Sequence, residues 1–449
     1  MAYIPLINNL DISHNTALAI RSVTNRSLDN RFADMPTIYD FVQAGDSASD
    51  WGPVITRGLA ASNTLLIPGS VDLPFSTITF PNSPAVLMGM GRGMARLRPI
   101  AGTTGAGHII FPPSGDSRCT LKDVGLYFTQ PEATTGFTQY IPAIYLNGSS
   151  RTRIEGVRLS KGWQGIVGNG NCGGLTVIDL ESSCLYTNVV LDQCFDTVRF
   201  VNPHIWPFDM GAVLIGWWSK NSIGYQFGRV DDLIIDNGLT FLTNGMIFNT
   251  GVDGNGTFGN ISNHDFDNFG GLNLINGFMT FSNCCFTLGD TTSHIFLANA
   301  PTAKLNITGC LFIIDAIPVF PTTRNSAIVI GAGAKCGISN CRFEVAVDAL
   351  VILIDGVNTD CSIVGCNFQR VPTSTYVQPI VVYQTNARPL FSSNMHNNMN
   401  SATAPFLSIT SNVSGVVNGN VFGNTILDAS MALTNVLVST NSGISSRTA

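Results

Sequence analysis

The chain has 449 residues, a net charge of −6 and a pI of about 5.4, which excludes a nucleic-acid partner held by a basic surface. Only 12% of residues are charged, and 45 Gly with 27 Phe favour β structure over helix, with a surface of Asn, Ser, Thr and Gly. Mean hydropathy is +0.24 without an apolar run of membrane-spanning length, so membrane insertion is not expected. The apolar surplus instead calls for a long core and a large subunit interface.

Residues 1–35 open on Met1-Ala2-Tyr3-Ile4-Pro5, which lacks the basic start and apolar centre of a signal peptide. A short helix is expected over Asp11 to Leu28, with cap-type Ser13, Asn15 and Thr16 near its start. Such a segment would be disordered alone, so it is read as docking on a partner. Residues 36–69 read as a capping region and the start of the main domain. Asp50 is placed to cap a helix over Pro53–Ala61, with proline in its first turn. Short strands are expected at Leu65–Ile67, Ser76–Phe80 and Ala85–Gly93, with the helix covering the open end of the first coil.

From about residue 70 to 425 one phrase organises the chain. It is clearest in Phe281-Ser282-Asn283-Cys284-Cys285-Phe286, Ile307-Thr308-Gly309-Cys310-Leu311-Phe312, Ile338-Ser339-Asn340-Cys341-Arg342-Phe343 and Ile363-Val364-Gly365-Cys366-Asn367-Phe368. The cysteines at 284, 310, 341 and 366 are 26, 31 and 25 residues apart. Unequal steps near 25 mean a fixed rung joined by variable loops, the signature of a solenoid. Alternation sends Ile307, Cys310 and Phe312 inward and Thr308 and Leu311 outward. The Asn or Gly before each Cys marks a sharp corner, because these residues tolerate left-handed backbone. Weaker copies fall at Leu121–Leu126, Ile154–Leu159, Ile261–Phe266 and Val417–Phe422. The fold class is therefore all-β, a single-stranded parallel β-helix with a short N-terminal capping helix.

Gly102–Gly107 lacks a lysine and reads as a turn rather than a phosphate loop. Residues 196–240 are the least regular and are read as an insertion. Four of the five tryptophans fall between residues 163 and 218, in a chain that fills its core with Phe. Residues 426–449 turn polar and read as a C-terminal cap or trimerisation segment.

The start of the solenoid resembles that of bacteriophage tailspikes and related pectate-lyase-like proteins. Arg31–Asp34, Asp40–Asp46, Ile67-Pro68-Gly69 and Gly89–Gly93 match the family's series of motifs over about residues 31–100. The chain departs from it at Phe41-Val42-Gln43, where a Gly is usual, and at Asp50-Trp51, where paired Asp is usual. The stretch His204-Ile205-Trp206-Pro207-Phe208 also looks like one found in several tailspike β-helices. The resemblance implies a right-handed helix, a homotrimer, docking of the N-terminus on other tail proteins, and a lateral face that binds bacterial surface polysaccharide.

The 11 cysteines mostly sit in core register without a C-x-x-C pair, so reduced thiols and assembly in the host cytoplasm are expected. No dense Asp cluster suggests Ca²⁺, and neither metal nor cofactor is expected. Trp163, His204, Trp206, Trp217, Trp218 and Tyr225, with Asp209, Lys220 and Arg229 for hydroxyls or carboxylates, form a candidate sugar platform. The competing reading is interface or loop filling. Cleavage needs paired carboxylates on one outward face. Asp265 and Asp267 flank inward Phe266, Asp179 and Glu181 flank Leu180, and Asp231-Asp232 adjoins the aromatic stretch and Arg229. A lyase would instead use Lys220, His204 or Arg229 as its base. His264 falls at an inward position and reads as a core histidine.

The expected protein is a virion tailspike that binds, and as an endo-acting hydrolase before a lyase cleaves, capsule or O-antigen. The alternatives are a non-catalytic receptor-binding or structural spike, and a cellular pectate-lyase-like enzyme.

Overall fold

The computed structural model describes residues 35–100, 104–113, 116–288, 294–315, 326–331, 333–370, 379–384, 387–398, 407–409, 413–426, 436–439 and 442–446. The expected helix at 11–28, the 1–35 docking segment except Met35, and the Arg31–Asp34 motif lie outside these residues.

The coils build three parallel sheets of 15, 15 and 13 strands among the described residues, the first thirteen coils each giving one strand to every sheet and the last two giving strands to the first two sheets. Each strand pairs with the equivalent strand of the next coil, as in Phe286↔Phe312 and Ile307↔Ile338. A three-sided parallel β-helix results, and its core is the space enclosed by the sheets.

The corner between the first and second sheets explains the phrase. At this corner Asn283, Gly309, Asn340 and Gly365 all have φ between 53° and 67°. Asp123, Gly156, Asp179, Asn202, Asn237, Asn263, Ser393 and Gly419 occupy the same place in other coils. Only glycine or a short polar residue takes this conformation readily, which fixes the composition of the position. Ile307, Cys310 and Phe312 are buried, while Thr308 and Leu311 are half-exposed, as alternation required.

The residue after the corner forms a hydrogen-bonded ladder. Each Sγ of Cys284, Cys310, Cys341 and Cys366 reaches the carbonyl of Ile261, Phe281, Ile307 or Ile338 in the preceding coil, at 3.5–3.7 Å. Asn394 and Asn420 continue it, their Nδ2 donating to Ile363 and Phe391 at 2.9 and 3.1 Å. In these coils a small donor, thiol or amide, fills the position, whereas Val124, Val157 and Leu180 fill it with apolar side chains in earlier coils. All 11 cysteines are free thiols. One step upstream of the cysteines, His264 shares a proton with Thr240 Oγ1 at 2.9 Å, and burial pushes its pKa down to about 3. Phe266, Phe286, Phe312, Phe343 and Phe368 stack behind the ladder at 4.6–5.0 Å with rings within 15° of parallel.

A helix spans Gly52–Ala61 and buries Val54, Ile55 and Leu59. Asp50 Oδ1 accepts from the Gly52 N–H at 2.9 Å and also from Ser76 N, so this carboxylate ties the helix start to the first coil. That coil consists of Thr64–Ile67, Val71–Phe75 and Ile78–Thr79; Val86–Gly89 already opens the second. The irregularity expected over 196–240 narrows to residues 206–222, because the strands on either side keep coil register. That insertion carries a helix at Ala212–Asn221. Strands Val436–Ser439 and Ser442–Ser446 extend the solenoid into the segment read as a C-terminal cap.

Candidate functional site

Two residues past each left-handed corner, the second-sheet strand points a side chain outward. Register therefore stacks Arg158, Glu181, His204, Leu239, Asp265 and Cys285 in one row. A second outward row two residues on holds Ser160 and Ser183, then Phe241 and Asp267. Trp206 lies at the equivalent place, its N–H bonded to Ser182 O.

Asp265 and Asp267 thus share one outward face, as alternation predicted. Local burial, and then the Asp267 charge, raise the Asp265 pKa. The neighbouring Cys285 thiol is pushed up to about 11 by burial and by both carboxylates. One coil step from Asp267, Phe241 has the Trp206 ring lying flat on it at 4.1 Å and 15°, and Trp206 is 37% exposed. His204 stands edge-on to Trp206 at 5.8 Å and to Phe208 at 5.2 Å. Burial holds its ring toward the neutral form, and its Nε2 is buried without a hydrogen-bond partner. A strand face of this kind supplies a rigid aromatic platform beside two carboxylates, one of them biased toward holding a proton.

The rest of the expected aromatic cluster divides. Trp163 stacks on Tyr186 at 5.4 Å and meets Trp217 at 6.5 Å, while Phe137 packs on Trp217 at 4.5 Å. These rings lie where second-sheet strands turn toward the third sheet. Trp218 and Tyr225 do not reach the surface. The inserted helix must bury one face, and Leu214 and Trp218, four residues apart, form it; Trp218 Nε1 donates to Cys184 O at 2.9 Å. Tyr225 points into the core between Phe200 and Phe227, and burial raises its pKa. Lys220 is exposed in the last helical turn. Asp209, left-handed at φ 60°, accepts from Ser160 Oγ at 2.9 Å.

Arg229, Asp231 and Asp232 are also displaced from the expected site. They lie at the corner joining the third sheet to the first, across the core from the second sheet. Arg229 grips Asp231 through two bonds of 3.1 and 3.0 Å and Asp253 through one of 2.6 Å, with its guanidinium 4.6 Å from the Phe195 ring centre. Asp232 is left-handed and accepts from Thr197 Oγ1 at 2.8 Å. Adjacency in sequence to Tyr225 placed them near the aromatics, but the turn after the third-sheet strand carries them away. Asp179 and Glu181 are not a strand pair either. Asp179 is a corner residue at φ 51°, and Glu181 is held by Arg92 at 2.6 Å and Arg158 at 2.5 Å.

Beside Arg158 the second-sheet face forms a cleft of about 540 Å³, whose lining includes Arg96, Arg98, Tyr127, Arg158 and Lys161. The sequence reading missed these residues. Aligning outward positions on the corner frame, already visible at Gly156, would have stacked Arg158 with Glu181, His204 and Asp265. Among the described residues no three His, Cys, Asp or Glu side chains gather as metal ligands, and no helix is long and apolar enough to cross a membrane.

No protein-family model matches the sequence, and no curated protein matches it. Solved structures do match. A mutant tailspike protein of E. coli bacteriophage HK620 in complex with pentasaccharide aligns with a TM-score of 0.50 and 12% identity, over 94% of this chain and 81% of that chain. The chain has the parallel β-helix fold of phage tailspikes. The Acinetobacter phage vb_AbaP_AS12 gp42 tailspike aligns with a TM-score of 0.47 and 10% identity, over 85% of this chain and 62% of that one. The catalytic unit of a GH87 alpha-1,3-glucanase from Streptomyces thermodiastaticus aligns at 0.44 and 11%, over 92% and 70%. At such identities the likeness is one of fold, and the structural neighbours are mainly tailspikes.

Proposed function

We propose that the chain is a virion tailspike whose second-sheet face binds and hydrolyses a bacterial surface polysaccharide during host attachment. The observation that carries this reading is the Trp206–Phe241 stack in one row with Asp267, beside Asp265 on the same outward face. Strand neighbours two apart lie roughly 6.5–7 Å from each other, at the low end of the spacing for an inverting glycosidase. Asp265, whose pKa is raised, protonates the glycosidic oxygen. Asp267 takes the proton of a water attacking from the opposite side of the sugar. The Trp206–Phe241 stack receives the C–H face of a pyranose and holds the scissile bond over the pair. Polysaccharide binding is consistent with the pentasaccharide bound by the tailspike neighbour.

The remaining parts of the proposal concern assembly. Residues 1–35 dock on other tail proteins, and the helix at Gly52–Ala61 closes the N-terminal end of the core. Three copies pack along their lengths, covering exposed apolar side chains such as Phe258 and Phe278, which are 51% and 42% exposed. Light scattering on the purified protein tests this part, with a mass of three chains expected.

The chemistry is tested by incubation with a panel of capsule and O-antigen preparations, following new reducing ends and the ultraviolet absorbance of an unsaturated uronate. Reducing ends without absorbance are expected. Both signals together would mean a lyase and point to His204, the one of the three candidate bases on this face. Neither signal, with polysaccharide still bound, would make the chain a receptor-binding spike.

A further inference from the structure

Although the whole chain carries a net charge of −6, the cleft over the N-terminal part of the second sheet is lined by Arg96, Arg98, Arg158 and Lys161, with Asp209 its one carboxylate. One wall is built and braced: Gln130 bonds both the carbonyl and the N–H of Thr138, at 2.7 and 2.9 Å. The cations are held from behind or below. The Arg96 guanidinium lies 4.4 Å over the Tyr127 ring, and that of Arg158 lies 5.1 Å from the Phe208 ring. Arg158 Nε bonds Glu181, Arg98 bonds Asp72, and Lys161 bonds Glu132.

These contacts fix the cations without saturating them. Among the described residues Arg96 donates no hydrogen bond; the Asp72 carboxylate stands 4.0 Å from it, and its Nε is buried without a partner. The two terminal nitrogens of Arg158 likewise make no hydrogen bond among the described residues, since its one bond is through Nε. A walled cleft presenting several immobilised guanidinium donors is matched by a carboxylate, which takes paired N–H bonds from arginine.

The cleft lies on the same face as the carboxylate pair. Arg158 and Asp265 are separated by four coil steps in one row, through Glu181, His204 and Leu239, or roughly 19 Å along the solenoid axis. A single extended glycan can span both. We infer that the cleft binds the carboxylate of an acidic sugar in the glycan chain whose bond lies over Asp265 and Asp267, so that the substrate is an acidic polysaccharide. This rests on the proposed function of the face and specifies its substrate class.

The test uses the full chain on an array of bacterial capsule and O-antigen polysaccharides, each printed native and with its carboxyl groups reduced to alcohols. Binding is expected only to native acidic polysaccharides and is lost on reduction. Arg96→Gln and Arg98→Gln each weaken it by about tenfold, the loss of one charge-assisted contact. Added salt weakens it as well. Arg98 is exposed, so its variant folds and keeps the experiment interpretable if Arg96→Gln does not. Retention of a carboxyl-reduced or neutral polysaccharide, with binding weakened in Trp206→Ala, would overturn the acidic class and leave the face reading standing. Binding to nothing on the array would overturn both.

Discussion

The corner cluster of Arg229, Asp231 and Asp253 and the strand pair Asp265 and Asp267 use overlapping residue types on neighbouring coils, but their charges end differently. At the corner each carboxylate finishes on the guanidinium, and the Asp253 carboxyl is held down to about 2 by Arg229 and by Asn255. On the strand the second sheet's twofold period puts like charges side by side, and local burial, with the Asp267 charge second, raises the Asp265 pKa. The first arrangement neutralises its charge within the turn. The second leaves it directed outward beside an exposed indole. Satisfied charges mark a structural corner, and mutually opposed charges on a rigid face mark candidate chemistry.

Substitutions sharpen this contrast. The largest effect is expected for Asp265→Asn, which removes the proposed acid: kcat on the cleaved polysaccharide falls by about 10²–10⁴-fold. Calorimetric binding of the same polysaccharide persists in this variant. Trp206→Ala comes next and reverses the pattern. Truncating the platform weakens binding by about tenfold or less, read as Kd, with the melting temperature nearly unchanged because the ring lies outside the core and is already 37% exposed.

The corner responds to acid. The folded pKa of Asp253 is depressed, so its contribution to stability is full above about pH 4 and is lost as pH falls toward about 2. A melting-temperature series across that window is expected to fall more steeply for the wild type than for Arg229→Gln, in which the depression is removed. The smallest effect is on the stability of Asp265→Asn. A raised folded pKa means that ionised Asp265 disfavours the fold above that pKa, so the variant melts at the wild-type temperature or slightly above. A marked fall in its melting temperature would make Asp265 a structural residue.

Much of the fold was legible because the solenoid writes its geometry into each repeat. Asn283, Gly309, Asn340 and Gly365 are the residues that left-handed corners demand, and Phe286, Phe312, Phe343 and Phe368 stack because coils repeat in register. The site was legible only in part. Asp265 and Asp267 follow from local alternation, and His204 and Trp206 from composition, but contacts between coils do not follow from either. Arg158 meets Glu181 across 23 residues of sequence, and Arg92 meets it across a longer interval. Residue type also does not separate inside from outside. Trp218 and Tyr225 share the chemistry of Trp206 but are fully buried, one by the helix that anchors through it and one by the phase of its strand. Loop residues such as Asp231 and Asp232 were misplaced because nearness in sequence across a corner is not nearness in space.

The most direct test of the account compares Asp267→Asn with Asp231→Asn in the reducing-end assay on the polysaccharide that the wild type cleaves. The account predicts that Asp267→Asn stops releasing reducing ends while still binding, and that Asp231→Asn cleaves at the wild-type rate. Cleavage that survives Asp267→Asn and disappears in Asp231→Asn would move the site to the opposite corner of the solenoid.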